Sequence, residues 1–400
     1  MKVFFINSFP AFSTGKIVQD LCKTLTDNGH EALFAYGRLK LEDTSIKSYK
    51  IGNELTVRLH GLLARLTDGE GRFSVIATKM LIKKIIEFDP DVIHLHNIHG
   101  YYLNHKILFD YLKVCGKKIV WTLHDCWAFT GHCACFSSIN CNKWKSKCEN
   151  CPQIHSYPTS LFFDNSKKNY IRKRENFTNV PNMTIATVSN WLGDLVNRSF
   201  LKEYNIKTIH NGIDLNIFKP IQSDFRKKYH LEDKKIILTV STSWSDERKG
   251  LKDVLKLADL LDDDYKVIIV GLTKKEKQKI GNKVLGITRT TNMKELVEIY
   301  STADMFYNAS VEETFGLPTV EAMACGTPVI VYDASAIPEI VTEKSGIVLS
   351  VHDVAAVAKS VDEYRNLKQE DILAVASEYG KEKMLDNYMT QYVKQDKKVF

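Results

Sequence analysis

The sequence predicts an α/β protein built from two doubly wound parallel sheets. Three observations carry the prediction. Short β-rich apolar runs alternate with longer helical patterns from end to end, and strand-then-helix repetition places parallel strands under helices on both faces. The runs divide evenly: "KVFFINS", "EALFAY", "DVIHLH", "KIVWTLH", "TIATVS" and "KTIHNG" in the first half, then "KIILTVS", "YKVIIVG", "VLGITRT", "ADMFYNA", "PVIVYD" and "GIVLS" in the second. Between them the alternation pauses at "NGIDLNIFKP", residues 211–220, so each half reads as one Rossmann-like unit.

The opening "MKVFFINSFPAFSTGK" has a short apolar run, no small-residue cleavage site and an immediate loop, so it reads as a first strand rather than a signal peptide. No run of about eighteen apolar residues occurs, so no transmembrane helix is expected. The expected compartment is the cytoplasm, extending to the inner face of the cytoplasmic membrane, where structural disulfides are rare. With 44% apolar and 26% charged residues and a net charge of +7, the chain is mildly basic. That suits anionic small molecules or an anionic membrane surface and falls short of a dedicated nucleic-acid binder.

In doubly wound sheets ligands sit beyond the C-terminal strand ends, so the residues after each strand matter most. In the second half "ADMFYNAS" leads into "VEETFGLPTVEAMACGTPVIVYD". Glu313 precedes a turn, Pro318 suits a first helical turn, Glu321 lies about one turn into the helix and Gly326 suits its end. A loop with Gly316 feeding a helix offers unpaired backbone N–H groups to a phosphate. After "KIILTVS", Arg248, Lys249 and Gly250 open a helix. Cations are disfavoured there by the helix dipole, and an anionic ligand supplies the reason for them. The "DDD" of Asp262–Asp264 stands before a strand, at the wrong end of the sheet, and "STGK" at 13–16 lacks P-loop spacing.

The E-x7-E motif from Glu313 to Glu321, "RKG", "NGID" and "HD" after a first-half strand together resemble GT-B-fold glycosyltransferases of the large retaining family four, which includes bacterial lipopolysaccharide, capsule and mannosyl transferases. The resemblance covers nearly the whole chain. It implies an acceptor-binding domain over 1–213, a nucleotide-sugar-binding domain over 214–380 facing it across a cleft, and a helix over 381–400 crossing back. It also implies that Glu313 contacts the transferred sugar, that amides of Phe315, Gly316 and Leu317 bind sugar hydroxyls and phosphate, and that Glu321 takes the ribose. Lys249 and Arg248 would hold the diphosphate, and backbone around Ile287 to Arg289 would meet the base. Many relatives carry an Arg where Ser243 stands, so Arg248 has more to do here. The implied reaction is transfer from a nucleoside-diphosphate sugar to a saccharide or lipid-linked acceptor with retention at the anomeric carbon. No catalytic metal is expected, because cations and helix N-termini can stabilise the departing diphosphate. Another GT-B nucleotide-sugar enzyme, such as an epimerase, is the alternative.

In the first half Gly15 follows the first strand at a helix start, where backbone could approach donor phosphate. "KIVWTLHD" ends in His124, which the resemblance places toward the donor sugar, and Asp125, which is read with the acceptor side. His96 and Asn97, after "DVIHL", are read as lining the acceptor side. "TVRLHGLLARL" at 56–66 and "TKMLIKKIIEF" at 78–88 are basic and apolar in helical register, a pattern for peripheral contact with anionic lipid and also for a helix packed on a sheet.

An insertion near 126–160 holds "CACFSSINCNKWKSKCENC". Cys148 and Cys151 form a chelating pair that Cys133 and Cys141 could complete as a structural zinc site. Free thiols and disulfides stay open as readings, and the position beside "HD" favours a loop that shapes an acceptor pocket over a reader of nucleic acid.

Overall fold

A computed structural model describes residues 1–281, 283–364 and 366–393. The chain divides into two compact units, one of residues 1–209 together with residues 385–393, the other of residues 210–384. The sequence reading sets these boundaries at 213 and 380. Residues 394–400 of the expected last helix lie outside the described residues.

In the first unit the strands are β1 (Lys2–Asn7), β2 (Glu31–Tyr36), β3 (Ser48–Lys50), β4 (Val92–Leu95), β5 (Lys118–Leu123), β6 (Met183–Thr187) and β7 (Asn205–Thr208). They form one sheet in the order β3-β2-β1-β4-β5-β6-β7, and every pairing is parallel. β1 lies near the middle under helices on both faces, which is why Val3–Ile6 are all apolar and fully buried. Phe109, Trp121 and Phe177 pack ring to ring beneath β5, with centroids 4.5 to 5.4 Å apart. β3 is an addition to the expected set. It is a short edge strand of partly exposed residues, so no apolar run announces it.

The second unit carries β8 (Lys235–Val240), β9 (Tyr265–Val270), β10 (Val284–Ile287), β11 (Met305–Asn308), β12 (Val329–Tyr332) and β13 (Gly346–Leu349). Their order is β10-β9-β8-β11-β12-β13, again all parallel. Val254, Leu257 and Val357 from flanking helices close on Ile237, Ile269, Met305 and Ile330 of the strands. In both sheets the winding reverses direction once, between β1 and β4 and between β8 and β11. Those switch points are where open α/β sheets hold ligands.

Between β5 and the helix Ser166–Phe177 the chain forms only 3-10 turns. This excursion has its own small aromatic core, in which Phe129, Phe136 and Trp144 stack within 5.0 to 6.3 Å of one another. The final helix, Lys381–Tyr392, begins in the second unit, and its residues from Leu385 belong to the first. No helix among the described residues is long and apolar enough to cross a membrane.

Candidate active site

The second-unit groups converge at the β8/β11 switch point because a glycine lets two loops close. Gly250 has φ 72°, and a Cβ there would stand 2.2 Å from the Ala309 carbonyl oxygen. Only glycine permits that approach without displacement. The loop after β8 is thereby seated on the loop after β11, with the Val311 amide donating to the Arg248 carbonyl at 2.8 Å. Lys249 Nζ then reaches Glu313 Oε1 at 2.5 Å, with each side chain about one fifth exposed. Glu313 is fixed through its backbone, its amide donating to Ser335 Oγ at 2.8 Å.

Arg248 and Lys249 lie in a 3-10 turn, Glu247–Lys249, and the helix proper is Leu251–Leu260. The guanidinium of Arg248 donates twice to Asp246, from Nε at 3.0 Å and Nη2 at 2.5 Å. Asp246 also caps the turn through the Arg248 amide. Arg248 therefore carries its own counter-ion, which the sequence reading omits, so Lys249 is left as the cation that faces Glu313.

Gly316, at φ 96°, turns the chain into the helix Leu317–Ala324 with Pro318 in its first turn and no side-chain cap. The leading amides are thus directed outward without a side-chain acceptor of their own cap. Glu321 accepts from Tyr300 Oη at 2.9 Å. Burial pushes the Glu321 carboxyl up to about 7, against the opposing effect of the Tyr300 hydrogen bond. Ile287 departs from its expected role. Its side chain is buried and its carbonyl already accepts from the amides of Gly271 and Leu272, while Arg289 in the turn after β10 is exposed.

In the first unit Asn7, fully buried at the end of β1, organises the loops. Its Oδ1 accepts from the amides of Ser8 and Asn97, and its Nδ2 donates to the Phe9 carbonyl and Thr14 Oγ1. Gly15 lies inside the helix Phe12–Asp27, where a Cβ would stand 2.4 Å from the Pro10 carbonyl carbon. Its bareness lets the preceding loop fold back on the helix start, and that start has no side-chain cap.

His94, His96 and His124 form one group, the first two fully buried and His124 partly so. His96 Nδ1 lies 3.0 Å from His124 Nε2, and the His94 and His96 rings are 4.1 Å apart. His94 is held by Tyr392 Oη at 2.7 Å and Thr122 Oγ1 at 2.8 Å, and Thr122 Oγ1 donates in turn to Tyr388 Oη at 3.1 Å. Burial pushes His96 well below the ordinary imidazole range and His124 to about 4. Both rings are neutral at pH 7, so one donates to the other. His96 is 1% exposed and does not itself line an acceptor surface, as the sequence reading has it. It lies behind His124. Asp125 accepts from His99 Nε2 at 2.9 Å and from the Trp127 amide at 2.8 Å.

Cys133, Cys141, Cys148 and Cys151 line one small cavity in the excursion, together with His132. Cys133 and Cys151 are hydrogen-bonded to one another, which holds Cys151 down at about 7 and Cys133 well up. His132 is anchored by Asp68, Nδ1 to Oδ1 at 2.7 Å. As these side chains stand, no group of three or more His, Cys, Asp or Glu among the described residues is arranged to hold a metal ion. The four cysteines expected from spacing do come together on one cavity, with His132 beside them.

The two switch-point sheets and the cation–carboxylate pair after β8 and β11 define a glycosyltransferase of the GT-B fold. Sucrose-phosphate synthase from Thermosynechococcus elongatus superposes with a TM-score of 0.73 at 16% identity, covering 98% of each chain. HepE of Anabaena, solved with UDP and glucose, gives 0.68 at 16% identity over 98% of each chain. The chain belongs to glycosyltransferase family 4, whose model matches residues 14–217, and the model for glycosyl transferases group 1 matches residues 221–383. The putative colanic acid biosynthesis glycosyl transferase WcaC of Escherichia coli is 27% identical over 272 residues, 66% of this chain and 65% of that one. N-acetyl-alpha-D-glucosaminyl L-malate synthase of Bacillus anthracis is 28% identical over 208 residues, 47% of this chain and 53% of that one. The matches thus span just under two thirds and about half of those relatives.

Proposed function

We propose that this chain is a retaining glycosyltransferase that moves a sugar from a nucleoside-diphosphate sugar to a saccharide or lipid-linked acceptor in cell-surface polysaccharide assembly. The observation that carries the reading is the Lys249–Glu313 pair at the β8/β11 switch point, next to the uncapped helix start at Gly316. A diphosphate arriving there meets the Lys249 ammonium and the amides of Phe315, Gly316 and Leu317. Glu313, released from Lys249, accepts hydroxyls of the sugar. Arg248 adds positive charge tempered by Asp246. Glu321, supported by Tyr300, accepts ribose hydroxyls once ionised. These fixed cations and dipoles act on the charge that grows on the leaving diphosphate, where preorganised electrostatics are most effective. His124, neutral and backed by His96, is a hydrogen-bond partner for the donor sugar.

The test is a panel of UDP-, GDP- and other nucleotide-activated sugars, with nucleotide release and thermal shift as readouts. One donor should raise Tm and release nucleotide, with the anomeric configuration of the product kept as read by NMR. No shift and no release across the panel would remove the reading.

A second surface supports action at a membrane. The helix Glu54–Thr67 exposes Leu55, Leu59 and Leu62 beside exposed Arg58 and Arg65. Leu161, Phe162 and Phe163 are exposed beside its end, the Leu161 amide donating to the Arg65 carbonyl. An apolar stripe with cations along it complements an anionic bilayer. Flotation with phosphatidylglycerol vesicles but not phosphatidylcholine vesicles, lost in Leu59→Ser, is the expected outcome. Equal flotation with both, or with neither, counts against it.

A further inference from the structure

The excursion after β5 delivers one side chain to the groups beside His124. Tyr157 Oη lies 2.8 Å from His99 Nδ1, and His99 Nε2 lies 2.9 Å from Asp125 Oδ2. The tautomers follow from chemistry. An ionised carboxylate only accepts, so His99 Nε2 carries the proton. In the neutral ring Nδ1 is then a lone pair, to which Tyr157 donates its O–H. The ring of His99 is further clamped by Trp127 at 5.2 Å and Tyr157 at 5.6 Å between centroids. Burial would raise the Asp125 carboxyl, and the His99 ring, the Trp127 amide and His124 together bring it below its ordinary value. Asp125 is thus a rigid, ionised carboxylate one residue past His124, with its side chain 21% exposed. Each oxygen has a second lone pair beyond the partner it holds.

We propose that Asp125 is the carboxylate that accepts a hydrogen bond from the acceptor saccharide's hydroxyl, and that His99 and Tyr157 are its positioning residues. Tyr157 comes from the cysteine-rich excursion, so that loop takes part in acceptor selection through this relay. The inference rests on the glycosyl-transfer reading above and goes further by naming the contact Asp125 makes and the residues that position it. A relay that only pinned the loop would affect stability and not discriminate between water and sugar as the attacking group.

The experiment uses the full chain and Tyr157→Phe, His99→Gln and His99→Leu. In 15N-histidine NMR, His99 should be the Nε2–H tautomer, and Tyr157→Phe should move its Nδ1 resonance toward the unbonded value without changing the tautomer. With the donor found by nucleotide release, two reactions are compared: hydrolysis by water, and transfer to a panel of p-nitrophenyl hexosides. Tyr157→Phe should raise the acceptor KM by about tenfold, the size expected for weakening one charge-assisted hydrogen bond. Donor KM and hydrolysis should stay within about twofold. His99→Leu should be worse, and His99→Gln, which keeps a donor toward Asp125, should recover part of the loss. Equal losses in hydrolysis and transfer, an unchanged acceptor KM, or no glycoside accepted by the wild type would overturn the proposal. Failure of every nucleotide sugar would sink the transfer reading and the acceptor role with it, while the NMR arm would still judge the relay by itself.

Discussion

In the second unit, the groups at the switch point are charged and reachable: Lys249 and Glu313 are 21% and 20% exposed. In the first unit, the groups on and just after β4 are imidazoles sunk into the protein, with His94 at 0% and His96 at 1%, and the one carboxylate beside them, Asp125, is held by His99. The two sheets share a winding order, and their strand ends carry opposite electrostatic designs. The charged site is ready to exchange an internal ion pair for contacts with an anionic ligand. The neutral one is assembled by hydrogen bonds that fix tautomers, which suits recognition of hydroxyls. Burial decides between the two. Charges this deep would have to be paired or neutralised, and the imidazoles are neutralised.

The largest effect should come from the charged side. Glu313→Gln and Lys249→Ala are each expected to lower nucleotide release by about 10²- to 10³-fold, with urea unfolding measured alongside because breaking a largely buried pair leaves one charge unmatched. A near-normal rate in either variant would break the contrast. Next, Tyr392→Phe and His94→Leu act on the neutral side. Each strands a buried partner, at a cost of about 1–3 kcal/mol, to be read by urea unfolding, with Tyr388 and Thr122 limiting the loss in Tyr392→Phe. A loss confined to donor affinity with no change in stability would mean the histidine chain is not structural.

A pH experiment separates the two designs more finely. The Glu321 carboxyl is raised to about 7 in the folded protein, so the folded state holds this proton more tightly than the unfolded chain. Its contribution to stability is fully present below the unfolded value, about 4.3, and is lost as pH rises through about 7. Glu321→Gln should flatten that decline and be the more stable protein above pH 7. Donor affinity in the wild type should rise over the same interval, because ribose hydroxyls donate to the ionised carboxylate. A variant whose stability profile matches the wild type would remove Glu321 from this role. The smallest effect concerns the thiols. With all four thiols on one cavity, a metal-free excursion would keep its Tm in chelator and lose about 1 kcal/mol or less in Cys148→Ser. A fall of many degrees with chelator, with zinc found in the purified protein, would mean that the excursion closes around an ion.

The E-x7-E signal was legible because its parts are close in sequence: one turn and one helix bring Glu313, Gly316 and Glu321 into order. Lys249 was legible from its place after a strand. The partners that tune these residues were not. Asp246 on Arg248 lies two residues away and looks like an ordinary turn residue, and Tyr300 on Glu321 and Ser335 on Glu313 come from separate helices and loops. On the first unit the histidines were visible but their roles were not, because His94 to Tyr392 is a contact across 298 residues and His99 to Tyr157 one across 58. The edge strand Ser48–Lys50 escaped because it is half exposed and has no apolar pattern to show.

What the sequence by itself determined is the periodic part: twelve of the strands, their parallel alternation with helices, the pause near residue 211, and the two motifs whose geometry a single loop can set. These depend on local sterics and on which face is buried, and both are written in residue order. Only the tertiary structure decided which charges face each other, which imidazoles are neutral, and that four cysteines surround one cavity. Those outcomes depend on distance and desolvation between residues far apart in the chain, quantities that exist only once the chain has packed.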